Sequence, residues 1–334
     1  MLSLVVAGLA ISAIMAFSMG ANDMANSISP LVGSGVAQFR EALVLFSVAV
    51  FIGAMVQGFM VIKTLGKGIV SEIDIAGAVS ATLAAFTWIM LATVKGIPIS
   101  TTHSITGGVI GIGIAYMFLS GRPCNLNLSI VSKIVLSWVT SPLCAMALAI
   151  PLYILTEKVF RHSNDRRVIP GALAIAFLAA YSFGANDVAN AVGVYISVTS
   201  KFLGMPDADV MRLLTAFAVL FICLGGAVAG KKVVETLAYR VTRLDVLTSI
   251  AANADGIAVW LYTTIPYLLF GYGMPISTSY AAVGAIIGAG IAKYRSLKAL
   301  NVKLVLFIMF AWVITLPVTA LLAITIYTLL SHVL

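Results

Sequence analysis

The sequence predicts an all-α polytopic membrane protein with about ten transmembrane segments arranged as two inverted-topology repeats. Three observations carry this: an apolar excess, helix-length apolar runs along the whole chain, and an internal duplication. Of 334 residues, 61% are hydrophobic and 10% charged, against roughly 25% charged in water-soluble domains. That leaves too little polar surface to coat a soluble particle. A hydrocarbon core of about 30 Å needs about 20 apolar residues per helix, and such runs recur throughout. Stretches 42–62 and 305–330 are apolar on every side, which excludes the alternation of a membrane-spanning barrel.

The segments fall at about 2–36, 41–62, 75–94, 101–119, 131–155, 170–200, 210–230, 246–266, 276–293 and 304–330. The first lacks the basic start of a signal peptide and is read as mature structure. The first and sixth are long, and a polar box interrupts each, as expected for two half-helices or a re-entrant hairpin. Phe17-Ser-Met-Gly-Ala-Asn-Asp-Met-Ala-Asn26 matches Tyr181-Ser-Phe-Gly-Ala-Asn-Asp-Val-Ala-Asn190 at an offset of 164. Pro98-Ile-Ser-Thr-Thr102 matches Pro275-Ile-Ser-Thr-Ser279 at an offset of 177. Fainter echoes pair Gly53 with Gly225, and Trp138 and Pro142 with Trp312 and Pro317. Matches in the same order define a repeat at 1–156, a cytoplasmic linker at 157–169 and a second repeat at 170–334.

Five crossings per repeat is an odd number, so the second repeat enters the membrane inverted. With both termini outside, fourteen Lys and Arg fall on cytoplasmic loops and six on the other side, as the positive-inside rule requires. The net charge of +8 therefore reflects membrane orientation and not nucleic-acid binding. Three cysteines without CxxC spacing and three scattered histidines suggest neither a disulfide framework nor a metal cluster.

Asp23 and Asp187 lie deep in apolar sequence, where a carboxylate costs about 2.5–3.5 kcal/mol on insertion scales. Neither box contains a Lys or Arg. A bound cation supplies the missing charge: Asp23, Asn22 and Asn26, with Asp187, Asn186 and Asn190, offer all-oxygen shells suited to sodium. Gly20 and Gly184 would allow the helix to break and contribute backbone carbonyls. The alternative is that Asn and Asp serve as interhelical hydrogen-bonding glue. The second box places Ser100, Thr101, Thr102 and Ser277, Thr278, Ser279 just after a proline, where a helix is expected to start. Free N–H groups and three hydroxyls make each start an anion site that needs no lysine. Two starts meeting from opposite sides would hold a tetrahedral oxyanion; the competing reading is ordinary capping. Gly107/Gly111 and Gly284/Gly288 read as packing faces. Gln57, Asn253 and Asp255 either line a pathway or serve as glue, and Lys63 and Glu235 read as snorkelling residues at segment ends.

Both boxes, Gly20-Ala-Asn-Asp-Met-Ala-Asn26 with its copy and Pro98-Ile-Ser-Thr-Thr-His103 with Pro275-Ile-Ser-Thr-Ser-Tyr280, resemble the duplicated motifs of the inorganic phosphate transporter family over the full length. The resemblance implies a secondary transporter, not an enzyme, importing phosphate with sodium or protons, as a homodimer in the cell membrane. It implies that Asp23, Asn26, Asp187 and Asn190 carry cation and substrate binding, and that the Ser-Thr clusters hold phosphate. The chain departs in having Tyr280 opposite His103, in lacking the large central loop of some members, and in Lys63 opposite Glu235, where eukaryotic members carry Glu at both.

Moving one charge through 100 mV is worth about 2.3 kcal/mol, so importing a phosphate dianion costs about 4.6 kcal/mol. Two co-transported cations cancel that cost, and two Asp boxes can bind two. Sodium symport by alternating access is the leading expectation. Proton coupling, with sulfate or a metal–phosphate complex as other cargo, is the alternative. An anion channel would run outward under this potential, and a membrane enzyme would need a clustered nucleophile and base that the sequence does not offer.

Overall fold

A computed structural model describes residues 2–65, 73–119, 121, 127–160 and 165–333. Among these, all regular structure is helical: α1 (Leu2–Gly33), α2 (Phe39–Gln57), α3 (Phe59–Leu65), α4 (Ile75–Val94), α5 (Thr101–Leu119), α6 (Leu128–Phe160), α7 (Asp165–Leu203), α8 (Ala208–Ala229), α9 (Lys231–Tyr239), α10 (Val246–Ala252), α11 (Asp255–Phe270), α12 (Thr278–Tyr294) and α13 (Val302–Val333), with one 3-10 turn at Leu297–Ala299. Eight of them, α1, α2, α4 to α8 and α13, are long and apolar enough to cross a membrane. Leu136, Val139, Val228, Val313 and Leu321 point outward, a surface suited to lipid, and the chain is a multi-pass membrane protein.

The expected segments map onto these helices with several differences. Segment 246–266 divides at Asn253 and Ala254 into α10 and α11, and segment 276–293 becomes the 17-residue α12. Neither yields a single helix of the usual spanning length, so eight long helices stand where ten segments were drawn. Segment 41–62 divides at Gly58. The expected linker 157–169 is mostly helix: its ends belong to α6 and α7, and 161–164, with Arg161 and His162, lie outside the described residues, as do Lys67, Arg122 and Cys124. Polar residues set several starts, such as Asp74, which accepts the Gly77 N–H of α4 at 2.7 Å, an N-cap. Gly271, at φ 76°, ends α11 in the left-handed conformation.

The break expected within the first and sixth segments is overturned. α1 and α7 run unbroken through both Asn-Asp boxes. Gly20 and Gly184 are there for close packing. A Cβ on Gly20 would lie 2.6 Å from the Ile222 carbonyl carbon of α8, and one on Gly225 2.7 Å from that of Phe17 in α1. In the other copy, a Cβ on Gly184 would lie 3.0 Å from the Val50 carbonyl carbon of α2, and one on Gly53 2.7 Å from that of Tyr181 in α7. Each box helix thus packs against a helix of the other repeat. The glycine-spaced helices do the same: Gly107 of α5 abuts Leu316 and Thr319 of α13, and Gly284 of α12 abuts Pro142 of α6. This register pairs Leu316, not Pro317, with Pro142, so the proline echo in the sequence is one residue out of step.

α1 and α7 cross at the centre. Gly8 packs against Tyr195 and Thr199, and Ser12 Oγ donates to Ala191 O at 2.9 Å. The pairing falls in number on one helix as it rises on the other, so the two run antiparallel and their boxes meet halfway.

Candidate functional site

The two hydroxyl boxes start helices as their prolines and hydroxyls dictate. Ser100 Oγ accepts the His103 N–H at 3.2 Å to open α5, and Ser277 Oγ accepts the Tyr280 N–H at 3.3 Å to open α12. Asn22 and Asn186 hold the extended residues that lead into these starts. Asn22 Nδ2 donates to Thr93 Oγ1 and Ile97 O, and its Oδ1 accepts the Ile99 N–H at 3.0 Å. Asn186 Nδ2 donates to Ile276 O at 2.9 Å while its Oδ1 accepts the Ile276 N–H at 3.2 Å. Both amides are therefore engaged as clamps on the second box of their own repeat.

The two remaining polar residues of each first box face the hydroxyls. Asp23 is fully buried. Its Oδ2 accepts from Thr101 Oγ1 at 2.7 Å, within its own repeat, and its Oδ1 lies 3.0 Å from Ser279 Oγ of the other. Ser279 Oγ also lies 2.9 Å from Ile99 O and accepts from Asn26 Nδ2 at 3.1 Å. A hydroxyl has one proton, so Ser279 donates to either Asp23 or Ile99 at any moment. In the second copy Asn190 Nδ2 reaches Thr102 Oγ1 at 3.4 Å, and Thr278 lies beside Asp187. The structure therefore brings Asp23, Asn26, Thr101, Thr102, Asp187, Asn190, Thr278 and Ser279 to one buried place, built from both repeats.

Two oxygens here, Asn26 Oδ1 and Asp187 Oδ2, are buried with no hydrogen-bond partner among the described residues. Burying such acceptors without a donor is costly. The described ion pairs, Arg212–Asp209, Lys231–Glu235 and Lys293–Asp245, all lie outside the boxes. The donor set left for a ligand here is carboxylate and amide oxygens, which fits a hard cation.

The two expected pathway residues make few described side-chain contacts. Asn253 Nδ2 bonds back to Ser249 O at 3.3 Å, and Asn253 Oδ1 and Gln57 Oε1 have no described partner. No described hydrogen bond joins either to the boxes. The sequence reading gave no role to His103, Tyr280, Trp138 and Trp312, which stack in one column between the helix starts. The signal was present: the two Trp are an echo between repeats, and His103 and Tyr280 directly follow the hydroxyl boxes.

Fold and site define an internally duplicated, multi-pass α-helical membrane protein whose buried polar centre is shared between its halves. Residues 19–174 and 168–323 each match the model of the phosphate transporter family, and the chain belongs to that family. It is 30% identical to a Pyrococcus furiosus protein named "Putative phosphate permease", over 92% of both chains. It is 27% identical to the "Probable low-affinity inorganic phosphate transporter" of Bacillus subtilis, over 95% of this chain and 94% of that one. A solved structure titled "The sodium-dependent phosphate transporter" superposes with a TM-score of 0.84 at 27% identity, over 99% of this chain and 100% of the other.

Proposed function

We propose that the protein imports inorganic phosphate by symport with sodium, alternating access between two inverted repeats, 1–156 and 170–334, joined at 157–169. The observation that carries this reading is Asp23: a buried carboxylate in reach of hydroxyls from both repeats, with the partnerless oxygens Asn26 Oδ1 and Asp187 Oδ2 in the same pair of boxes. In this reading Asp23, Asn26, Asp187 and Asn190 hold sodium. The starts of α5 and α12, with Ser100, Thr101, Thr102, Ser277, Thr278 and Ser279, hold the oxyanion, and Asp23 and Asp187 contribute to both through the ions they bind. Asn22 and Asn186 support the site from behind. The antiparallel crossing of α1 and α7 supports inversion of the repeats. The broken α10–α11 pair and the 17-residue α12 would then complete about ten segments. The working unit is a homodimer in the cell membrane with both termini outside.

The test is uptake of labelled phosphate into proteoliposomes with and without an inward sodium gradient, at fixed pH. Sodium stimulation is expected. Stimulation by a proton gradient alone would replace sodium with protons at Asp23 and Asp187, and uptake needing no gradient of either would indicate a channel. Asp23→Asn or Asp187→Asn should abolish coupled uptake in protein that still folds; near-normal uptake by both removes the cation assignment.

A further inference from the structure

The column of rings between the two helix starts contains a hydrogen-bonded chain. Trp138 stacks on His103 with centroids 3.3 Å apart, and Tyr280 stacks on Trp312 at 3.7 Å. The two stacks meet where His103 and Tyr280 lie 4.6 Å apart. His103 Nε2 is 2.8 Å from Tyr280 Oη, and His103 Nδ1 is 2.8 Å from Ser100 Oγ. All four rings are buried and come from α6, α5, α12 and α13. Trp312 Nε1 donates to Pro98 O at 3.1 Å, tying the column to the residue that opens the first hydroxyl box. α5 packs chiefly on α13 and α4, and α12 on α6, so this side-chain chain directly links the two helix starts.

Counting protons shows what the chain does. A neutral imidazole has one donor and one acceptor, and a hydroxyl has one proton. With the proton on Nδ1, Ser100 Oγ accepts twice, from the His103 backbone and from the ring, while Tyr280 donates to Nε2. The Ser100 proton then has no described protein acceptor. With the proton on Nε2, Ser100 donates to the ring and the Tyr280 proton is left over instead. One spare hydroxyl donor therefore exists, and the ring decides which end carries it. An oxyanion beside Ser100 selects the first arrangement, because it needs a donor there.

We propose that His103 and Tyr280 are positioning residues for the transported oxyanion, aiming the Ser100 hydroxyl proton at it through a bridge between the repeats. This rests on the phosphate-transport reading above. It also separates the two copies: Ser277 caps α12 through the Tyr280 backbone and has no imidazole behind it, so Ser100 is the stronger donor to substrate.

The test is a double-mutant cycle on the full chain in proteoliposomes, reading KM and maximal rate for inorganic phosphate under a sodium gradient. Sodium-induced thermal stabilisation without phosphate is measured on the same proteins. Tyr280→Phe keeps the ring stack and removes only the hydroxyl. Expected is a KM raised about tenfold, the loss of one buried hydrogen bond, with sodium stabilisation unchanged. In a Ser100→Ala background, Tyr280→Phe should raise KM no further, because the effect passes through Ser100. His103→Gln, with an amide in place of Nε2 and nothing in place of Nδ1, should raise KM as much and provides a second route if Tyr280→Phe folds poorly. Unchanged KM in both variants, or a tenfold rise persisting without Ser100, overturns the proposal. Normal wild-type uptake with unchanged variant KM removes this inference alone, whereas no phosphate uptake by the wild type removes both proposals.

Discussion

Gly20 and Gly225 make the sharpest structural claim, because each faces backbone and not a movable side chain. In Gly20→Ala the new methyl would lie 2.6 Å from the Ile222 carbonyl carbon and 2.9 Å from its Cα. Carbon atoms rest at about 3.5–4.0 Å, so α1 and α8 must part by about 1 Å. Neither can give locally, since both contacts are helix backbone. Overpacking of this kind costs about 1–3 kcal/mol, and rigid partners place this case at the upper end. The displacement also reaches the site, since Asp23 is one helical turn from Gly20. Gly193→Ala is the internal control: a Cβ there meets nothing within 4 Å, and replacing a helical glycine should gain about 0.5–1 kcal/mol. Thermal unfolding of detergent-solubilised protein and phosphate uptake are read together. Gly20→Ala and Gly225→Ala should lower both, and Gly193→Ala neither. Wild-type unfolding temperatures and uptake in Gly20→Ala and Gly225→Ala would refute the cross-repeat packing.

Two further predictions address the supports of the site. Asn22→Ala removes three hydrogen bonds, and Asn186→Ala removes two to Ile276 and one to the Asp187 carboxyl; with about 1–3 kcal/mol per buried group left unpaired, each should lower the unfolding temperature, and a wild-type value in either would count against the clamp assignment. At the start of α10, burial tends to raise the Asp245 carboxyl pKa, but the Lys293 ammonium at 2.8 Å and the Thr248 N–H hold it below the ordinary aspartate value. A depressed carboxylate stabilises above its unfolded pKa of about 4 and loses that contribution as the pH falls through its folded value. With Asp245 half exposed, Lys293→Met should cost only about 0.2–1 kcal/mol at neutral pH, narrowing below pH 4; an undiminished difference there would refute the assignment.

The sequence was most legible where local chemistry decides the structure. Proline followed by hydroxyls placed the starts of α5 and α12 at the hydroxyl clusters where they fall, because a proline and a cap act on their immediate neighbours. The apolar run 75–94 became α4 without change. It was least legible where the deciding partner lies far along the chain. A glycine beside Asn and Asp in an apolar run reads as a hinge, yet Gly20 exists for Ile222, about two hundred residues away. The same holds for the hydroxyls: nothing near Ser279 in sequence indicates that it meets Asp23. The faint echo of Gly53 in Gly225 was the available clue, since a glycine repeated beside a repeated box fits mutual packing better than two independent hinges.

The repeats match in sequence but do not treat their carboxylates alike. Both Asp23 oxygens lie within reach of hydroxyls, Thr101 from its own repeat and Ser279 from the other. Asp187 keeps one oxygen, Oδ2, without a described partner, and the Asn190–Thr102 contact is longer than its counterpart between Asn26 and Ser279. One substitution between the copies accompanies this difference. The second box ends in Ser279 where the first has Thr102, and Ser279 draws together Asp23, Asn26 and Ile99 O, while the described side-chain contact of Thr102 is with Asn190. His103 opposite Tyr280 breaks the symmetry at the next residue in the same direction, giving the first hydroxyl box an imidazole that the second lacks. Two neighbouring differences therefore set apart what 164- and 177-residue offsets make look interchangeable. Under the proposed symport, Asp187, whose Oδ2 has no described partner, would be the more open carboxylate for a cation, and Ser100 the better-backed hydroxyl for an anion. Cation and oxyanion would then draw most strongly on opposite repeats, so binding both would pull the two halves toward one another.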